Sequence, residues 1–342
     1  MPHDLSHLDT ALAAYPRATL LEGPTPIQKL SRLSRLPEMN GCNIYVKRDD
    51  LTGLGGGGNK LRKLEFLLGE ALAEGADTLV TWGGFQSNHA RLTAAVAAQQ
   101  GLACELILTP SAVRSDEDFC HNGNVVLDAL FGATVHRLAP GAAPDVFAAQ
   151  RVEKLRQQGK KPFVMPLGGS SPRGSLGYSA CAAEILRQAD ALDVHFDRII
   201  VPNGSAGTHS GLLAGVTLAH SSTQIAGYTV LAGEDQAAST TLEKTRQVLQ
   251  LLDPGATLAE SSVSVDGSQR GDAYGAPTEA MLEAVRLLAS REGLVADPVY
   301  GGKAFAGLLA AVRAGEYPAG SNLLFVMTGG LPGIFAYRSA FE

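Results

Sequence analysis

Short β-rich runs alternate along this chain with longer Ala/Leu-rich amphipathic runs, and few architectures accommodate that order. The run "DTLVTW" (77–82) precedes a helix starting after Asn88, "ACELIL" (103–108) precedes a helix around residues 124–131, and "ATVHRL" (133–138) follows. Further on, "QRVEKLRQQGK" (150–160) reads as a polar surface helix leading into "PFVMPL" (162–167). "RIIVP" (198–202), "IAGYTVL" (225–231) and "NLLFVMT" (322–328) read as more buried strands. Such alternation predicts βαβ units and a mostly parallel sheet, an α/β fold. With 39 glycines and only 6% aromatic residues, the composition suits tight strand-to-helix turns better than a helical bundle or a β-sandwich. A length of 342 residues predicts two domains or one large one. No Pro-, Ser- or charge-rich linker divides the chain, so two domains would have to pack closely across a cleft.

Composition narrows the partners. The formal charge is −6 with both signs interleaved, which leaves no electrostatic footprint for nucleic acid or an anionic membrane. Cys42, Cys104, Cys120 and Cys181 form no C-x-x-C pair, so neither a metal site nor a disulfide framework is expected. No run reaches the ~18 apolar residues of a membrane span, and the N-terminal stretch does not read as a signal peptide. The expected location is therefore the cytoplasm.

Three glycine-bearing loops follow expected strands directly, as ligand loops do in α/β proteins. In "PNGSAGTHSG" (202–211) a strand runs through Gly204, Ser205, Ala206, Gly207 and Thr208 into an apolar helix. This is either an anion site at a helix N-terminus or an ordinary turn with a Thr cap. In "WGGFQSNHAR" (82–91), Ser87, Asn88 and His89 stand where the next helix begins. They offer a carboxylate pocket and a hydrogen-bonding amide, or simply an N-cap. The third loop lies around "GGSSPRGSLGY" (168–178).

A fourth glycine-rich stretch, "VKRDDLTGLGGGGNKLRKLEFL" (46–67), ends four consecutive glycines on Asn59 and Lys60. It fails as an ATP P-loop because Asn59 intervenes and Leu61 supplies no hydroxyl for a metal. Leu61, Leu64, Leu67, Leu68 and Ala71 recur at helical spacing, so Lys60 opens an amphipathic helix with Arg62 and Lys63 read as its solvent face. A lysine at that end opposes the helix dipole. Desolvation there would lower its pKa and make a neutral amine able to attack a carbonyl; the alternative is an ordinary solvated lysine. A reactive lysine, a phosphate cup and an Asn-bearing loop together suit pyridoxal 5′-phosphate (PLP).

Those stretches, with "NGN" (122–124), "DPVYGGKAFAGL" (297–308) and "TGGLPGIFAY" (328–337), resemble the D-cysteine desulfhydrase and 1-aminocyclopropane-1-carboxylate (ACC) deaminase family across nearly the whole chain. The resemblance implies a tryptophan synthase β-like fold (fold type II), with a large PLP-binding domain of residues 1–63 and 166–342, a smaller α/β domain of 64–165, and a homodimer. It further implies that Lys60 forms an imine with PLP, that Asn88 contacts the ring hydroxyl, and that Gly204, Ser205, Ala206, Gly207 and Thr208 hold the phosphate. Ser87 would hold the substrate carboxylate or act as a base. Tyr274 and Tyr300 would line the substrate side, with His89, Trp82, Phe85 and Gly301 beside them.

Within that family the ACC deaminases carry Glu in "VYEGK" and Leu before the late "GG", where this chain has Gly301 and Thr328. A hydroxyl stabilises a protonated pyridine nitrogen less than a carboxylate does, which favours β-elimination over ring opening. The expected reaction is conversion of D-cysteine to pyruvate, sulfide and ammonia. Other β-substituted alanines such as cysteate, ACC itself, and a non-catalytic nucleotide- or cofactor-binding protein remain as alternatives.

Overall fold

A computed structural model describes residues 3–342. Among the described residues ten strands lie in two sheets: β1 (Ile27–Lys29), β2 (Asn43–Lys47), β3 (Thr78–Gly84), β4 (Ala103–Thr109), β5 (Thr134–Arg137), β6 (Pro162–Val164), β7 (Arg198–Asn203), β8 (Gln224–Thr229), β9 (Ser264–Asp266) and β10 (Asn322–Val326). The larger sheet runs β1-β2-β10-β7-β8-β9, with only β1 antiparallel to its neighbour. The smaller runs β5-β4-β3-β6 and is wholly parallel. The expected strands are found with ends shifted by a few residues, while β1, β2 and β9 lie outside any β run read from the sequence.

The near-continuous apolar character of β7 and β10 has a direct cause, because both faces of the larger sheet are covered. Ile199, Val201, Leu324 and Val326 point into one core, shared with the helices Pro172–Leu192 and Gly207–Leu218. Their neighbours Ile200, Leu323 and Phe325 point into the opposite core, against the helices Glu279–Glu292 and Gly301–Arg313. Successive strand residues face opposite sides, so one sheet serves two cores. A third core joins the helices Lys60–Ala73 and Asn88–Gln100 to β3 and β4 through Leu64, Leu67, Leu92, Val96 and Leu106.

The helix Lys60–Ala73 corrects one expectation. Arg62 and Lys63 do not face solvent: each is only 1% exposed. Arg62 is buried because it has carboxylate partners, Asp49 and Glu184, far away in sequence. Lys63 donates instead to the Ser170 hydroxyl at 2.8 Å and the Gly168 carbonyl at 3.3 Å. Among the described residues no helix is long and apolar enough to cross a membrane.

Candidate active site

The C-terminal ends of β3, β7 and β10 open onto one cavity of about 420 Å³, the position where parallel sheets collect ligands. Lys60 lines it as the first residue of its helix. The preceding glycines are required by the path of the chain. Gly57 has φ +68°, and a Cβ there would lie 2.4 Å from the Asp50 carbonyl oxygen, which excludes any side chain. Asn59 then ties three segments together: its amide donates to the Thr328 carbonyl at 2.9 Å and its side chain to the Thr208 hydroxyl at 3.0 Å. Lys60 is thereby fixed between the end of β10 and the loop after β7. Enclosure lowers its pKa from 10.5 to about 8, although Lys63 and the Asp297 carboxylate partly oppose the shift.

Beside Lys60, the loop after β7 forms a cradle. Ala206 adopts φ +63° and the helix Gly207–Leu218 begins directly after it, presenting its unpaired backbone N–H groups to the cavity. The Ser205 hydroxyl lies 2.6 Å from that of Ser170. A Cβ on Gly207 would sit 2.6 Å from the Ser170 hydroxyl and 2.8 Å from the Lys63 amine. Lys244 closes the group by donating to the Ser170 carbonyl. Burial pushes the Lys63 amine well below its ordinary range, helped by Lys60 and Lys244, and lowers Lys244 too. Among the described residues Lys63 meets no carboxylate, so a buried group of lysines converges on a helix N-terminus. A doubly charged phosphate would supply the missing counter-charge.

On the opposite wall, Ser87 caps the helix Asn88–Gln100, its hydroxyl accepting from the Ala90 amide at 3.1 Å. Both Ser87 and Asn88 line the cavity. The Asn88 carbonyl oxygen accepts from the Asn124 side chain at 2.9 Å, and Asn124 also donates to the Gln86 carbonyl. That network fixes the flip of the Asn88 amide, so its N–H₂ is left to donate to a phenolate-type oxygen. His89 borders the cavity but is 1% exposed, with Nε2 3.1 Å from the Thr81 hydroxyl. Burial, reinforced by Lys60 and Lys63, keeps its imidazole well below its ordinary range and hence neutral.

Tyr274 and Tyr300 meet at their hydroxyls, with ring planes at 63°. Desolvation at the paired hydroxyls raises both phenols, Tyr300 well above the ordinary range, although Tyr274 as a whole is 42% exposed. Thr328 is buried at the cavity wall. Trp82 and Phe85 also line the cavity; Trp82 packs against a small core around Val80 and Ile107, and Arg137 stacks over the Phe85 ring. Gly301 does not line it. Its amide donates to Asp297 at 2.8 Å, and a Cβ would point at that carboxylate, 3.1 Å away.

Several contributors escape a linear reading. Asp297, 3% exposed, accepts from the amides of Val299, Tyr300 and Gly301 and sits near enough to Lys60 for each to shift the other's pKa. Its only signal was the Asp-Pro pair ahead of a helix. Lys63 and Lys244 come from separate segments and gave no local signal, whereas Ser170 lies in the third glycine loop.

A buried amine, a phosphate-shaped cradle, a fixed amide donor and a wall hydroxyl on one cavity fit PLP. A family model described as pyridoxal-phosphate dependent enzyme matches residues 18–329. The chain belongs to that family. As a pyridoxal-phosphate dependent enzyme of the lyase type, it is 42% identical over 333 residues to a D-cysteine desulfhydrase of Serratia proteamaculans (strain 568), covering 97% of this chain and 99% of the relative. It is equally similar, over 331 residues, to one of Yersinia enterocolitica, covering 97% and 98%. A crystallised ACC deaminase homologue matches with a TM-score of 0.88 and 36% identity over 98% of both chains. O-ureido-L-serine synthase, at 19% identity and a TM-score of 0.65 over 97% of this chain and 96% of its own, shares the fold alone. The architecture is the two-domain, tryptophan synthase β-like arrangement of fold type II.

Proposed function

We propose that this enzyme removes the β-substituent of a small amino acid, with D-cysteine as substrate and pyruvate, sulfide and ammonia as products. One observation carries the reading: the cavity wall presents the Thr328 hydroxyl, a weaker partner for a protonated ring nitrogen than the carboxylate that ring opening would need. The names of the curated relatives support it.

PLP supplies an electron sink for charge developing at the substrate Cα. The chain's own groups do the rest. Lys63, Ser205 and the N-terminus of the helix Gly207–Leu218 would hold the phosphate, and Asn88 and Thr328 would offer hydrogen bonds to the ring. The Ser87 hydroxyl and the N-terminal amides of the helix Asn88–Gln100 take the substrate carboxylate. With pKa about 8, the Lys60 amine is the group suited to accept the Cα proton near neutral pH. The tyrosine pair, its phenols raised, remains protonated and donates a proton to the departing sulfur.

A second reading, ACC deamination to 2-oxobutyrate, is favoured by the likeness to the ACC deaminase homologue. Assaying purified holoenzyme for pyruvate plus sulfide from D-cysteine, and for 2-oxobutyrate from ACC, separates the two. The first activity is expected, with loss of turnover in Lys60→Ala. Turnover of ACC without D-cysteine would reverse the assignment.

A further inference from the structure

The cavity has two chemically different halves. The two lysines that line it, Lys60 and Lys63, belong to the cofactor half. Lys63 is committed to Ser170 and Gly168, and His89 is neutral and tied to Thr81. Apart from the cradle, the apolar lining includes Trp82, Phe85, Val113, Phe119 and Pro144.

Polar groups in this outer half are already engaged. Gln86 donates to the Phe119 carbonyl at 2.7 Å and the Asn122 carbonyl at 2.9 Å, and accepts from the Asn124 amide at 3.0 Å. Thr109 donates to the Gly83 carbonyl, and Ser111 accepts from the amides of Val113 and Arg114. Two arginines lie nearby, but neither lines the cavity. The Arg137 guanidinium sits 5.2 Å from the Phe85 ring centre. That of Arg114 sits 4.3 Å from the Tyr337 ring and 5.8 Å from the Phe119 ring, and is paired with Asp116 at 2.8 Å.

We propose that this outer half selects uncharged, apolar β-substituents, thiols and thioethers of the S-alkylcysteine class, and rejects β-substituents carrying a charge, sulfonate above all. The inference rests on the β-elimination reading and narrows its substrate. The helix N-terminus with Ser87 serves one carboxylate, that of the amino acid itself. A second anion at Cβ would meet the Tyr274 and Tyr300 hydroxyls but no cation beside the aromatic and aliphatic walls, and a cationic substituent would meet no carboxylate on the lining. A thioether suffers neither cost and places its apolar arm against those walls.

For an S-alkylcysteine the step balances without an added oxidant or reductant. The Cα–H bond breaks and its proton goes to the base; the Cβ–S bond breaks and sulfur keeps the electron pair, leaving as a thiolate that gains one proton. The remaining three-carbon enamine takes up one water and yields pyruvate and ammonium.

The test measures pyruvate release by holoenzyme from the D and L forms of cysteine, S-methylcysteine and cysteate. We expect kcat/KM for the S-methylcysteine enantiomer that is used to exceed that for cysteate at least tenfold. Val113→Arg, at a position 44% exposed and so able to carry a charged head, should raise the cysteate to S-methylcysteine ratio at least tenfold. Titrating the holoenzyme's visible band gives binding independently of turnover, and S-methylcysteine should saturate at lower concentration than cysteate. Pyruvate from cysteine and cysteate but not from S-methylcysteine, or equal use of all three, would overturn the proposal while leaving β-elimination intact. No pyruvate from any of them would remove the β-elimination reading and this one with it.

Discussion

The Arg62 guanidinium donates to both carboxylate oxygens of Asp49, from Nε at 3.0 Å and from Nη2 at 2.9 Å, and Arg62 is 1% exposed and Asp49 wholly buried. Arg62 also reaches Glu184 at 2.9 Å, and Tyr178 donates to Asp49 at 2.5 Å. This network sits two residues after Lys60, on the same first helical turn, and holds that turn against the rest of the larger sheet's helices.

Removing one partner leaves a buried charge unpaired. Arg62→Met should lower unfolding free energy by about 3–5 kcal/mol, read from urea denaturation at pH 7. Burial alone would raise the Asp49 carboxyl, but Arg62 and Lys47 outweigh it and hold it below its ordinary 3.8; Glu184 is likewise held below 4.5. Their contribution is thus complete above those ordinary values and is lost as pH falls through the lowered ones. Wild type should lose stability more steeply than Arg62→Met on acidification below about pH 4. Parallel acid titrations would contradict this.

Asn124 touches no cofactor group in this account, yet it orients Asn88. Asn88→Ala removes a donor to a charged oxygen, a loss of about 1.5–3 kcal/mol, seen as weaker PLP binding with a shifted visible band. Asn124→Ala should shift the same band in the same direction by a smaller amount, because the Asn88 amide is then free to turn. An unchanged band in Asn124→Ala would show that Asn88 is held by packing instead.

Gly207→Ala adds a methyl 2.6 Å from the Ser170 hydroxyl and 2.8 Å from the Lys63 amine, inside the cradle. Affinity for PLP should fall at least tenfold in equilibrium dialysis, with far-UV circular dichroism unchanged. Full affinity would place the phosphate elsewhere.

Much of this was legible in the sequence. The β-rich runs at β3, β4, β7 and β10 announced parallel strands because those residues are buried on both faces, and the glycine loops after them mark the cavity. What was not legible has a common physical cause. Arg62 and Lys63 fit a solvent face by periodicity, since helical spacing reports only the apolar stripe. Their burial depends on Asp49, Glu184 and Ser170, whose approach is set by tertiary packing. Lys244 comes from the helix Glu234–Leu252, outside every stretch singled out in the sequence, and its amine joins the cradle. The hydrogen bond from the Gly301 amide to Asp297 joins residues four apart in a turn that no periodicity announces.

Burial lowers the Lys60 amine to about 8 from 10.5, so its neutral fraction rises from about a tenth at pH 7 to about nine-tenths at pH 9. The rate at which apoprotein captures PLP should therefore climb roughly tenfold over that interval and then level off. A rate still climbing toward pH 10.5 would describe an ordinary solvated lysine.

The most direct measurement is reduction of the holoenzyme with borohydride followed by peptide mapping. The pyridoxyl mass should appear on the peptide bearing Lys60 and nowhere else. Its appearance on Lys63 or Lys244, which lie in the same cavity wall and cradle, or on no residue at all, would contradict the account.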